Sequence, residues 1–114
     1  MASAFKNAGM SVVTTDNASA NLYTASGVTA VVHAVYISNK SSTNTAKVDV
    51  KVTTDGGSTF YHVGKSLEID VNNTLVLDKP INLETGDIIR IVAELNIDSS
   101  SPDVEAYASI LEIS

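Results

Sequence analysis

The chain has 114 residues, a formal charge of −6 and a pI near 4.6. That length fits one domain, whose core can hold together without a metal or a disulfide. There is no cysteine, which excludes disulfides, zinc–thiolate sites, iron–sulfur clusters and a cysteine nucleophile. Thirteen acidic residues against seven basic ones argue against a nucleic-acid surface. The apolar stretches 28–37 and 88–95 are too short to span a bilayer, so no membrane partner is expected. The first residues lack a basic region followed by an apolar run, so no secretory signal is expected.

Ser and Thr supply 25 residues and Asn another nine. Their side chains compete with the helical backbone, whereas the abundant Val, Ile and Thr suit a pleated surface. Residues 1–9 carry no strand pattern and read as an N-terminal arm, with the domain proper at 10–114. Met10–Thr15 and Ala20–Thr24 read as weak strands. Val28–Ser38 is apolar on both faces: Val31, His33, Val35 and Ile37 on one, Ala30, Val32, Ala34 and Tyr36 on the other. Such a strand suits cover on both sides, from its own fold or from another copy.

Ala46–Thr53 alternates strictly, with Ala46, Val48, Val50 and Val52 inward. Asp55-Gly56-Gly57 then predicts a hairpin that returns through Thr59–Val63. Leu67, Ile69 and Val71 alternate in a further strand, which Asn72-Asn73 turns into Thr74–Asp78. Lys79-Pro80 ends that strand, because proline cannot donate to a ladder. Gly86 marks a turn before Ile88–Leu95, and Val104–Ile113 is the last strand, again apolar on much of both faces. Eight or nine strands at this spacing predict an all-β fold. An antiparallel β-sandwich of jelly-roll-like topology is expected, with a small β-barrel as the alternative. The expected core is Val48, Val50, Val52, Ile69, Ile89, Ile91 and Leu111.

No constellation points to catalysis, a metal or a cofactor, and none is expected. His33 and His62 lie within strands, without the spacing of a ligand pair. Asp98, Asp103 and Glu105, with Ser99–Ser101, could offer oxygens to calcium but lack a calcium-loop pattern, so a solvated loop is the preferred reading. Glu68 and Asp70 alternate outward as a wet face. Tyr23, Tyr36, Tyr61 and Tyr107 could form a sugar-stacking platform only if they converge. The Asn17, Asn39 and Asn72 sequons are read as coincidental.

Three segments carry a resemblance: Thr29-Ala-Val-Val-His-Ala-Val-Tyr-Ile-Ser-Asn39, Leu75-Val-Leu-Asp-Lys-Pro-Ile-Asn-Leu-Glu-Thr-Gly-Asp87 and Val104-Glu-Ala-Tyr-Ala-Ser-Ile-Leu-Glu-Ile113. They resemble a group of small β-rich structural proteins of tailed bacteriophages. The resemblance implies a non-enzymatic virion component and carries no catalytic residue across. A capsid decoration or cement protein is the leading expectation. A receptor- or glycan-binding fibre module, or a neck or tail component, is the alternative. The expected partners are further copies of the chain, as a homotrimer, and the major capsid protein or another virion protein. Phe5, Tyr36 and Tyr107 are the expected partner contacts. The acidic charge would be repelled by packaged DNA, which suits the particle surface.

Overall fold

The computed structural model describes residues 3–96 and 100–114. Nine strands lie among them: β1 (Ser3–Ser11), β2 (Asn21–Thr24), β3 (Thr29–Asn39), β4 (Ala46–Thr53), β5 (Phe60–Ile69), β6 (Thr74–Leu77), β7 (Ile81–Leu83), β8 (Ile88–Ala93) and β9 (Val104–Ile113). The only helical element described is a 3-10 turn at Ala18–Ala20, capped by the Asn17 side chain, which accepts from the Ser19 N–H. One sheet has the order β1-β9-β3-β6, with β7 also paired to β3; the other has the order β2-β8-β4-β5. All strand pairs are antiparallel. With β6 and β7 counted as one interrupted strand, this is the eight-strand jelly-roll order, in which the chain repeatedly crosses between the two sheets. The sheets do not close into a barrel.

The core lies between the sheets, where Val32, Val35, Ile37, Val48, Val50, Ile89, Ile91 and Ile110 are almost fully buried. Strict alternation in β4 produces its part of this core directly, because successive side chains leave opposite faces of a strand; in β8 Arg90 marks the outer face. Leu111 departs from the expected core. In β9 the inward set is Val104, Ala106, Ala108 and Ile110, which turns Leu111 outward. Glu105 and Ser109 share the parity of Leu111, so the alternation over 104–110 points to the face found; the adjacent apolar pair Ile110-Leu111 blurs it at the end of the strand.

The ambiguity in β3, apolar on both faces, has a structural cause. Its register against β9 shifts between Val32 and Ala34, leaving His33 as the extra residue of a bulge. Before the bulge Ala30 and Val32 point inward; after it Val35, Ile37 and Asn39 do. Opposite the bulge, the strand beside β3 is itself broken. β6 pairs with Val35–Ser38 and β7 with Ala30–Val32, and Asp78-Lys79-Pro80 lies between them. A proline N at this point removes no ladder bond, since the ladder is already interrupted. Sequence reading ended the strand at Pro80 and missed β7.

Two further differences concern β5 and β1. The strands expected at Thr59–Val63 and Leu67–Val71 are one strand with a bulge, where Ser66 takes a positive φ of 51° and its N–H donates to Asp49 at 2.7 Å. Gly64 leaves room for the Leu67 side chain, whose end would have to move if a Cβ stood there, 2.5 Å away. Residues 3–9, expected as an arm outside the sheet, pair one-to-one with β9 as the body of β1. Of residues 3–9 only Ala8 packs against the core, so no apolar alternation marks the strand, and its backbone pairing with β9 sets its place.

The hairpin between β4 and β5 forms as expected. The Asp55 carboxylate accepts the Ser58 and Thr59 N–H groups and the Thr53 hydroxyl. These bonds, that from the Thr59 N–H foremost, lower its pKa to about 2.

Ile91 is fully buried between the sheets. Truncating it to Ala is expected to cost about 2–5 kcal/mol in denaturant unfolding, through lost transfer energy and a residual cavity. A change below about 0.5 kcal/mol would mean that β8 presents its other face to the core.

Candidate interaction surface

The two sheets treat their outer faces differently. On the outer side of the β2-β8-β4-β5 sheet, Lys51 and Arg90 extend away from the core, yet both are largely buried. Asp16, from the segment between β1 and β2, bonds the ammonium of Lys51 and accepts from Arg90 Nη1 at 3.0 Å. Arg90 Nε also donates to Asn21 at 2.8 Å, and its guanidinium lies 4.1 Å from the centre of the Phe60 ring. The chain therefore covers this part of the face with its own residues. The hydrogen bond from Lys51, aided by Arg90, holds the Asp16 carboxyl below the ordinary carboxylate range.

Among the described residues, nothing covers the outer face of the β1-β9-β3-β6 sheet in this way. Cross-strand register sets its side chains in rows. One row runs Gly9, Tyr107, Tyr36, Val76; another runs Phe5, Leu111, Val31, Asn82. Between them lies a row of smaller residues, Asn7, Ser109 and Ala34. Phe5 is 84% exposed, Tyr107 47%, Val76 46% and Tyr36 40%. The two tyrosine rings are cross-strand neighbours with centroids 6.3 Å apart and planes tilted by 45°, a geometry typical of favourable aromatic pairs. Tyr107 also lies beside Gly9, within 3.8 Å of where a Cβ would stand. A shallow depression follows this row, lined by Gly9, Met10, Ser11, Tyr36, Ser38, Glu105 and Tyr107.

The residues named from sequence as partner contacts, Phe5, Tyr36 and Tyr107, thus share one face, with the tyrosines in contact and Phe5 in the neighbouring row. The other tyrosines do not converge on them. Tyr23 bridges the sandwich, its hydroxyl donating to Glu112 at 2.5 Å, and burial together with that carboxylate raises its pKa. Tyr61 stands exposed on β5 of the other sheet. His33 is exposed at its bulge and His62 is exposed on β5. Asp103 and Glu105 both pair with Lys40, at 3.3 and 3.4 Å, while Asp98 and Ser99 of the considered calcium loop lie outside the described residues. Glu68 and Asp70 are exposed, as expected.

Asn39 was missed as a structural residue. Its buried amide donates to the carbonyls of Asn44 and Ile69, and its oxygen accepts from the Ser41 N–H. Its position at the end of an apolar strand, before a Ser-rich turn, was the available signal. No family model matches the chain, and no curated protein matches it.

The Asp16 cluster sets an acid dependence. A carboxylate with a depressed folded-state pKa contributes stability above its unfolded value and loses it as pH falls through the folded one. Asp16→Asn is expected to cost about 1 kcal/mol near neutral pH, a figure kept small because Asp16 is half exposed. The difference in Tm between wild type and variant should shrink as the pH falls from about 6 to about 3. A difference constant across that range would show that the cluster carries no charge-dependent stability.

Proposed function

We propose that the protein is a non-enzymatic structural component of a bacteriophage particle, a capsid decoration or cement protein that binds through the outer face of its β1-β9-β3-β6 sheet. The observation that carries this reading is that uncovered face. It presents two largely apolar rows on one sheet, with Phe5, Tyr36 and Tyr107 exposed. Exposed aromatics grouped on one face mark interaction surfaces more often than single scattered ones do. The resemblance of segments 29–39, 75–87 and 104–113 to tailed-phage structural proteins supplies the particle context. Two of those segments, β3 and β9, build the middle of the face. Its partner would be the major capsid protein or another virion protein.

A second reading is favoured by one specific observation. The Tyr36–Tyr107 pair borders a depression that also contains Ser11, Ser38 and Glu105. Aromatic faces beside hydroxyl and carboxylate groups suit a glycan, as in a fibre or tail module.

Density-gradient-purified particles are expected to contain the protein in many copies per capsid. Replacing Tyr36 and Tyr107 together by Ser should lower occupancy about tenfold, in line with the loss of central aromatic contacts, while leaving the fold intact by circular dichroism. Absence from particles would refute the role. Presence in a few copies only, with glycan binding abolished by the same substitutions, would establish the second reading.

A further inference from the structure

The two sheets expose four edges, and three are protected. β2 has four residues and a register shift between Asn21 and Tyr23. β5 carries the bulge at Ser66 with its positive φ. The β6–β7 edge is broken at Asp78-Lys79-Pro80. These are the devices by which sheet proteins avoid edge-to-edge pairing. β1 has no break, bulge or shortening along its nine residues: its register with β9 is unbroken, and it contains no proline and no positive φ. Its one guard against pairing is the exposed Lys6.

The direction of its free groups follows from the hydrogen bonds at its end. The Val12 N–H donates to the Val104 carbonyl, and the Lys40 N–H donates to the Asp103 carbonyl, both at 2.8 Å. In an antiparallel ladder the N–H and C=O of one residue point the same way, and that direction alternates along the strand. Even-numbered residues of β1 therefore bond β9. The N–H and C=O of Ser3, Phe5, Asn7, Gly9 and Ser11 face the open edge.

We propose that a second copy of this chain pairs with this edge, β1 antiparallel to β1, about a two-fold axis at Asn7. That register sets Asn7 opposite Asn7, Phe5 opposite Gly9 and Ser3 opposite Ser11 of the second copy. Every free N–H and C=O of the edge then finds a partner, about ten backbone hydrogen bonds in all. The side chains fit the same register. Phe5 covers the glycine facing it, beside Tyr107 of the second copy, a pairing that compensates for the missing side chain of a strand glycine. Lys6, the one charge in β1, faces Ala8 rather than another cation. A two-fold pair differs from the trimer expected from the sequence, and it does not depend on the particle role.

The absence of native cysteine makes the register directly testable on the full chain. Sedimentation equilibrium should give a dimer. Under mild oxidation Asn7→Cys should form a covalent dimer, since the facing Cα atoms would lie about 5.5 Å apart, within disulfide reach. Ser3→Cys alone should not cross-link, because the two Ser3 positions would be about 27 Å apart along the ribbon. The double variant Ser3→Cys with Ser11→Cys should. Asn7→Pro, which removes an N–H directed away from β9, should weaken dimerisation at least tenfold while preserving the β-sheet circular dichroism. A monomer at about 100 µM, a trimer, or cross-linking of Ser3→Cys as efficient as that of Asn7→Cys would overturn the pairing. A monomer that still decorates particles would overturn it while leaving the proposed function standing.

Discussion

The pairing of β3 with β9 is the constraint on which the rest of the fold depends. It is a long central ladder, and it carries one defect, the bulge at His33. The defect lets β3 contribute Ala30 and Val32 to the core before it and Val35, Ile37 and Asn39 after it. Without the shift, one half of the strand would turn its apolar residues away from the opposing sheet, since one residue of slip reverses every side chain beyond it. The break between β6 and β7 answers this bulge, and β1 and β9 take their positions from it. Asn39 closes the ladder. Its amide meets carbonyls from Asn44 and from Ile69 at the end of β5, tying the two sheets with bonds that satisfy a buried polar group.

The two outer faces follow different physical rules. On one, the cations Lys51 and Arg90 would be costly to bury alone. Asp16 and Asn21 supply hydrogen-bonding partners, and the Phe60 ring lies against the guanidinium. That arrangement is complete within one chain. On the other face the side chains are apolar or small and carry little charge to satisfy. Tyr36 and Tyr107 pair with each other, but their outward surfaces remain in water. Covering that surface would gain roughly 25 cal/mol per Å² of apolar area, and nothing in the chain's own described residues supplies the cover.

What was legible in the sequence followed from whether one face of a strand is wet. β4 has Lys47, Asp49 and Lys51 alternating with Val48, Val50 and Val52, so its inward face could be read directly. In β8 Arg90 marked the outer face, and Ile89, Ile91 and Ala93 are inward as expected. Leu95, also expected inward, lies exposed beyond the end of the strand. β3 is apolar on both faces; in β9 Glu105 and Ser109 marked the outward face that Leu111 shares, and the adjacent apolar pair Ile110-Leu111 hid that signal. The bulges at His33 and Ser66 arise from pairing between distant segments and leave no local pattern. β1 was illegible as a strand because its order comes from backbone bonding along β9. Among the candidate contacts, Tyr36 and Tyr107 were legible as apolar residues on the second face of central strands. That they face each other follows from a register set by the bulge. The Asp16 cluster joins residues 35 and 74 positions apart, so no spacing rule could show it.

The open edge of β1 and the apolar face beside it are geometrically independent. Edge pairing uses the in-plane N–H and C=O groups, whereas the face is formed by side chains standing perpendicular to the sheet. Joining two copies through β1 would therefore leave both faces free and place them on one continuous sheet. Across the two-fold, the row of Tyr36 and Tyr107 in one copy would run into Phe5, Leu111 and Val31 of the other, since Phe5 stands opposite Gly9. The exposed Phe5 would then become the link between two apolar rows that a single chain keeps separate. A partner bound to that face would contact two copies at once, and the second contact would form at the effective concentration set by the first. Individually weak contacts of a small acidic protein could hold a shared partner in this way, without the charge steering that its composition does not provide.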